Sequence, residues 1–492
     1  MEENKRLFLT RRMFNVLLCS PFLAIEDASP EHLGPTKLFL LVSGMFGVSF
    51  CWAMKTIYMT PIFLENYSVA LSEIGLVRVA GPLSGLIVQP VVGLLADAWG
   101  KRAIFFKVGI LCMMVGMVVV VFAGQLMGWM GLHGRGVALG VAVAALWLLD
   151  LGMNGCLLAL KLMAFHRCPP TQHPQAMSAL AAAGGAGQLL GFLFGACDFS
   201  RLLGISTSNV AVLFLISPAV LLLSLHMSLA SYGFTEERGN YSLRLVSEAR
   251  LDMVTLWKAF SIPSWLKEVA GITFFCWVGW YAMILFASDW VGEGVFNGQS
   301  EAPQGSPERD RYDDGVRWSS WGSALQSAVV LGLGLGPVTF IVKKAGFKKS
   351  FAINIASQGL LMYSSIFFQF VRWKRCLILM LGALGLPWAL IQSLPYMVIG
   401  IAAEKRQEGQ ILGKMNVCIV AAELFVGFVV SPIILTLASD AYSRLYVILV
   451  GATFVSTSFL FLPKLDIDTF FQDGVTNFPE SPWQLSPKTE CE

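Results

Sequence analysis

The chain has 492 residues, of which 55% are hydrophobic and only 14% charged, with a mean hydropathy of +0.66. Soluble domains carry roughly 25% charged residues, so this composition excludes an ordinary water-soluble globule and points to a body enclosed in lipid. The net charge of +3 is spread over connecting segments and argues against a nucleic-acid partner.

Lys5, Arg6, Arg11 and Arg12 precede the apolar stretch Met13 to Ile25 in the manner of a secretory signal. That stretch is too short to span, and cleavage there would turn the first span against the charge pattern below, so residues 1–36 are expected to form a cytoplasmic tail. A bilayer core of about 30 Å needs roughly 20 apolar residues per helix. Runs of that kind occur near 37–64, 74–96, 103–125, 136–163, 176–197 and 208–230, giving a first six-helix bundle over 37–230. A polar segment over 231–267 follows as a central cytoplasmic loop. Six further runs near 268–290, 317–342, 350–371, 376–402, 411–437 and 443–463 give a second bundle over 268–463, and 464–492 is a cytoplasmic tail. The expectation is an all-α membrane protein of twelve transmembrane helices in two halves, embedded in a lipid bilayer.

Lysine and arginine in short loops mark the cytoplasmic side. Lys101, Arg102 and Lys107 follow the second span, Arg167 the fourth, Lys343, Lys344, Lys348 and Lys349 the eighth, and Lys405, Arg406 and Lys414 the tenth. Arg238, Arg244, Arg250, Lys258 and Lys267 sit in the central loop, so both termini are expected in the cytoplasm. The segment Glu65 to Ser72 carries no base and reads as an outer loop, with a sequon at Asn66-Tyr67-Ser68. Arg372, Lys374 and Arg375, between the ninth and tenth spans, run against the pattern. A second sequon, Asn240-Tyr241-Ser242, falls in the central loop and should stay silent.

Ten cysteines include Cys51, Cys112, Cys156, Cys276 and Cys418 inside apolar spans, without zinc spacing, and read as packing residues. His32, His133, His166, His173 and His226 lie at tails, loops and span ends, so no catalytic cluster, metal or cofactor site is expected. Gly184, Gly185, Gly187, Gly191 and Gly195 form a small-residue face for close helix contact. Two six-span halves fit a transporter built from repeats, with a solute site near the bilayer midplane. The segment Gly93-Leu-Leu-Ala-Asp97-Ala-Trp-Gly100-Lys101-Arg102 after the second span has a faint echo after the eighth, where Gly346 and the bases Lys348 and Lys349 persist and the acid is lost.

That segment resembles the signature of the major facilitator superfamily, in which it implies a cytoplasmic gate latch. A closer resemblance surrounds it. Gly44 to Pro61, Gly81 to Gly93, Trp147 to Asp150 with Asn154, Pro169-Pro170-Thr-Gln172, Phe286 to Gly292 with Gly298, Gly315-Val-Arg317, Ser393-Leu-Pro395-Tyr396 and Gly409-Gln410 with Asn416 follow in order. Together they look like the plant sucrose/proton symporters and their animal proton-associated sugar transporter relatives, within the glycoside–pentoside–hexuronide group. The resemblance implies the major facilitator fold and a secondary active transporter carrying sucrose or a related glycoside with protons. It departs from that family at Lys55, which stands for a glutamine, at Lys161 for an arginine, and at His166 and Ala287, each for an acid.

Ionisable groups inside spans cost about 2.5–3.5 kcal/mol on insertion scales, so each needs a reason. Asp150 and Lys161 are eleven residues apart on one helix face, about 16 Å along the axis, and Asn154 shares that face. The stripe is expected to line a hydrated cavity, where the resemblance makes Asp150 the acid that carries the proton or binds the sugar. Glu423, seven residues beyond Asn416, is a second acid, and Lys55 is placed to neutralise either one. A permanent pair would fit a uniporter of a small polar solute; a pair that opens on protonation would fit a symporter. Trp52, Gln89, Gln326, Gln392 and Tyr396 suit sugar hydroxyls and stacking, or helix-to-helix contacts. A non-transporting sugar receptor of the same fold is the further alternative. The expected setting is the plasma membrane, with a monomer as the working unit.

Overall fold

The computed structural model describes residues 32–69, 80–132, 134–196, 204, 209–233, 261–303, 305–371, 373–403, 407–438 and 442–465. Most of the expected tails and of the central loop, with Asn240, and the bases Arg372, Lys405 and Arg406 lie outside the described residues. Within lipid a backbone must satisfy its own polar groups, and among the described residues every regular element is a helix.

In the first half these are α1 (Pro35–Val42), α2 (Gly44–Tyr67), α3 (Ala80–Trp99), α4 (Arg102–Trp129), α5 (Arg135–Arg167), α6 (His173–Ala196) and α7 (Asn209–Tyr232). In the second they are α8 (Lys267–Asp289), α9 (Pro307–Gly334), α10 (Pro337–Tyr363), α11 (Ser365–Val371), α12 (Lys374–Ala383), α13 (Gly385–Ile391), α14 (Leu394–Ala402), α15 (Glu408–Phe425), α16 (Ser431–Leu437) and α17 (Ser443–Thr457). Eleven helical stretches among the described residues are long and apolar enough to cross a membrane. Helix α9 occupies the eighth place in the series, but Glu308, Arg309, Asp310, Arg311, Asp313, Asp314 and Arg317 load its first turns with charge.

Three expectations about segment limits change. The eighth span was expected over 317–342; α9 instead starts at Pro307, where Ser306 caps the helix by accepting from the Arg309 amide at 3.3 Å. It ends at Gly334, and Pro337 begins a new helix at the first position of α10. The first outer loop was expected from Glu65, but α2 continues to Tyr67, whose hydroxyl donates to the Val120 carbonyl at 2.6 Å. Asn66 therefore lies on a helix. The tenth span is broken into α12, α13 and α14. The echo between halves has a backbone basis: Gly100 closes α3 with φ 67°, and Gly346 kinks α10 with φ 80°, a region glycine enters without a Cβ clash.

Each half is a bundle, and two seams join them: α3 against α15, and α6 against α9. Both are glycine-lined. A Cβ on Gly93 would stand 2.2 Å from the Gly409 carbonyl oxygen, and one on Gly185 would stand 2.8 Å from the Leu331 amide nitrogen. Inside the first bundle the expected small-residue face of α6 packs on α2, where a Cβ on Gly187 would lie 2.1 Å from the Phe46 carbonyl oxygen and one on Gly191 2.6 Å from Ala53. Gly187→Val is therefore expected to lower stability by about 1–3 kcal/mol through overpacking. Gly124→Ala, in open space, should be neutral or gain up to about 1 kcal/mol of helix propensity. Thermal unfolding of the detergent-solubilised variants checks both.

Candidate functional site

Helix α5 runs 33 residues from Arg135 to Arg167 and carries Asp150 and Asn154 one turn apart. Asp150 is 2% exposed, and Lys55 on α2 donates from Nζ to its Oδ1 at 2.5 Å. Of the two acids open to Lys55 in sequence, the structure thus pairs it with Asp150. The Lys55 side chain keeps 20% exposure, against 3% for that of Asp150. Gly81 of α3 makes room for the pair: a Cβ there would stand 3.6 Å from Lys55 Nζ and 3.7 Å from Asp150 Oδ2.

Asn154 extends the cluster. Its Nδ2 donates to Ser84 Oγ at 2.9 Å and to the Asp150 carbonyl at 3.0 Å, while Gln89 Nε2 donates to its Oδ1 at 3.0 Å. From the second bundle Asn416 on α15 reaches over the seam and donates to the Gly85 carbonyl at 3.0 Å. Glu423, two turns along α15, is partly buried and lies within electrostatic reach of Lys55, Asp150 and Tyr396. Charged and amide groups from α2, α3, α5 and α15 thus meet in one place, where low dielectric strengthens each contact.

Lys161, expected on the same face of α5 as Asp150, has different neighbours. Lys161 sits further along α5 with its own partner: its Nζ lies 3.5 Å from the centre of the Tyr396 ring on α14. The long face of α5 meets α2 and α3 at Asp150 and the opposite bundle at Lys161, so one stripe serves two environments. Tyr396, read in sequence as a stacking group for the solute, is buried at 5% and engaged by that ammonium. Trp52 is half-buried one turn before Lys55. Gln326 on α9 and Gln392 between α13 and α14 are half-buried, and neither side chain is hydrogen-bonded to the Asp150 cluster.

The segment Gly93 to Arg102 lies against the start of α15. Asp97, 9% exposed near the end of α3, accepts from the backbone amides of Gly409 at 3.0 Å and Gln410 at 2.8 Å. These are the unsatisfied donors at the start of α15, where a carboxylate is favoured. Arg102 is buried beside Asp97, and Lys101 is exposed. The other seam closes at the same end. Ser178 Oγ donates to the Gly334 carbonyl at 2.9 Å, and Thr339 Oγ1 to the Pro174 carbonyl at 3.5 Å. His173, 4% exposed at the start of α6, sets its ring nitrogens against the carbonyls of Gly400, Phe165 and Cys168 and so joins the bundles there too.

Sequence reasoning missed three elements of this closure: the Gly409 and Gly413 face of α15, the Ser178–Gly334 contact, and His173. The four-residue spacing of Gly409 and Gly413 was a readable signal of close helix approach. The motif from Phe286 to Gly292 proves to be a packing device. Tyr312 donates to Asp289 Oδ1 at 2.7 Å, Trp290 Nε1 donates to Gln369 Oε1 at 2.9 Å, and a Cβ on Gly292 would lie 2.6 Å from the Tyr312 ring.

Two helical bundles in a membrane, a charged and amide cluster where they meet, and a closure at one end define a membrane transporter. The profile of the Major Facilitator Superfamily matches residues 41–425, and the chain belongs to that superfamily. It is 26% identical over 461 residues to sucrose transport protein SUT1 of Oryza sativa subsp. japonica, covering 83% of this chain and 84% of that one. It is 26% identical over 441 residues to SUT2 of Oryza sativa subsp. indica, covering 80% and 86%. Among solved structures the fold is similar to the proton:xylose symporter XylE (TM-score 0.59, 11% identity, 88% and 96% covered). It is also similar to FucP in the outward conformation, with TM-score 0.56, 14% identity, and 87% and 98% covered.

Removing one member of a buried ion pair leaves the other uncompensated, at about 3–5 kcal/mol, whereas replacing both with apolar groups is close to neutral. Lys55→Met is expected to lower thermal stability by that order, and Lys55→Met with Asp150→Leu to recover most of it. A double-mutant cycle on unfolding temperature is the check.

Proposed function

We propose that the chain is a secondary active transporter that carries sucrose or a related glycoside across the plasma membrane by alternating access, in symport with protons. The observation that carries this reading is the Lys55–Asp150–Asn154–Gln89 cluster of the first bundle, met by Asn416 of the second. Costly polar groups inside spans mark a solute path, and in two-bundle carriers that path lies between the repeats. The relatives named as sucrose transport proteins, matched over four-fifths of this chain, support the choice of solute.

In this reading Asp150, Asn154, Gln89 and Asn416 take the sugar hydroxyls or the proton. Lys55, Lys161, Trp52, Tyr396, Gln326, Gln392 and Glu423 stand along the path. The lysine and arginine bias puts the Gly93–Arg102 end and both termini in the cytoplasm. The Asp97 latch is then the inner gate, and the arrangement with that end closed faces outward. One chain holds both bundles, so the monomer is the working unit.

Uptake of radiolabelled sucrose into proteoliposomes, with and without an imposed pH gradient, tests the proposal. Accumulation above equilibrium with the acid side outside is expected, and Asp150→Asn should reduce it at least tenfold while the protein still runs as a monodisperse peak. Sucrose binding without accumulation would mark a receptor, and equilibration indifferent to pH a uniporter. Asp97→Ala should slow turnover by freeing the α15 amides, read as a fall in maximal uptake rate larger than any change in half-saturation.

A further inference from the structure

Two stripes of residues meet along the seam of α3 and α15, running in opposite directions. On α3 they are Gly85, Gln89, Gly93 and Asp97, each one turn from the next, and on α15 they are Gly409, Gly413 and Asn416. The contacts give their order in space. Asp97 accepts from the Gly409 and Gln410 amides at the gate end, and Gly93 faces Gly409. Next, a Cβ on Gly413 would stand 3.1 Å from the Gln89 carbonyl oxygen and 2.8 Å from Pro90 Cα. At the far end Asn416 Nδ2 donates to the Gly85 carbonyl at 3.0 Å. The seam is thus fastened at both ends, and between them α15 presents the bare backbone of Gly413. The far fastening lies in the polar cluster: a Cβ on Gly85 would be 2.9 Å from Asn154 Oδ1 and 3.3 Å from Asn416 Nδ2, so amides of both bundles converge there.

Resting on the sugar-carrier reading above, we infer that Asn416 makes the opening of this seam depend on solute. In the empty protein its amide clasps the Gly85 carbonyl and holds α15 on α3. With a sugar in the cluster, the amide passes from that carbonyl to a sugar hydroxyl, and the seam is free to part. Each partner is served by the exchange. The Gly85 carbonyl keeps the Gln89 amide one turn along α3 as its helical donor. The Asn416 amide finds a new acceptor, whereas without sugar it would be left bare in a buried place, which weighs against the parted seam by about tenfold. Helix α15 is continuous from Glu408 to Phe425, so parting at the Asp97 end strains the Asn416 bond two turns away. The residue therefore acts on the gate through its helix, without touching Asp97, and the loaded carrier changes access faster than the empty one.

Gly409 and Gln410 lie in the first turn of α15, where amides have no helical acceptor, so their hydrogen exchange reads the Asp97 bond directly. The test measures that exchange by mass spectrometry on the full chain in lipid nanodiscs, without sugar and with saturating sucrose. In the native chain sucrose is expected to speed it about tenfold. Asn416→Ala should exchange without sugar at the rate the native chain shows with sucrose, and gain little when sucrose is added. Asn416→Leu, near asparagine in size but without a donor, should match it. Gly413→Ala, which presses on Pro90 and leaves both fastenings in place, should speed exchange alike in the two conditions and keep the native ratio. An Asn416 that only props the seam would give that same unchanged ratio, which overturns the assignment. So does native-like exchange without sugar in either Asn416 variant that runs as a monodisperse peak. Native exchange unmoved by sucrose, in protein that binds radiolabelled sucrose, also overturns it and leaves the carrier reading standing. A native chain that neither binds nor takes up sucrose overturns the carrier reading and this assignment together.

Discussion

A charge placed within a membrane span must find its opposite, and in this chain the Lys55–Asp150 contact meets that demand. Its position fixes much else. The pair needs α2 and α5 close together beside a helix without a side chain at Gly81, and α3 supplies that glycine. Asp150's carbonyl and Ser84 then hold the Asn154 amide, and Gln89 takes the remaining acceptor, so the first bundle presents an ordered polar surface toward the second. Satisfied polar networks of this kind stiffen their surroundings, because each partner lost in low dielectric is expensive.

Rigidity within bundles contrasts with the contacts between them. The seams approach backbone to backbone through Gly93, Gly409 and Gly413 on one side and Gly185 and Gly334 on the other. Such smooth surfaces gain from dispersion contacts and have few interlocked side chains to disengage. What holds them at one end is a small set of directional bonds, from Asp97, Ser178, Thr339, His173 and the Lys161 ammonium on Tyr396. Close packing supplies the fit and hydrogen bonding the commitment to one arrangement, a division suited to a body with two alternative closures.

The all-helical fold, with eleven membrane-length stretches among the described residues, was legible because lipid imposes a length rule that hydropathy reports directly. The run near 103–125 became α4 and that near 208–230 became α7 almost unchanged. Limits failed where charge and helix coexist: the acid- and base-rich start of α9 is helical, since proline and a serine cap begin it despite its polarity. In the cluster, Asp150 and Asn154 were readable as costly groups one turn apart, and Asp97 was readable as an acid set against a neighbouring helix start. The choice of Asp150 over Glu423 as the partner of Lys55 was not, because it depends on which helix crosses α2 at that height. Nor was the engagement of Tyr396 by Lys161, since an aromatic ring in a span serves a sugar, a neighbour or a cation equally well in sequence.

Asp97 grips main-chain N–H groups and no side chain of α15. Substitution at Gln410 by anything except proline leaves its donor in place, so the latch is blind to chemistry there and sensitive only to shape. Gly409 is the exception on steric grounds: a Cβ would stand 2.5 Å from the Gly93 carbonyl oxygen and 2.7 Å from Asp97 Oδ1. Evolutionary drift along that helix start is therefore filtered by bulk at one position and by backbone integrity at the next, and the fastening demands an acid on one side and a bare backbone on the other.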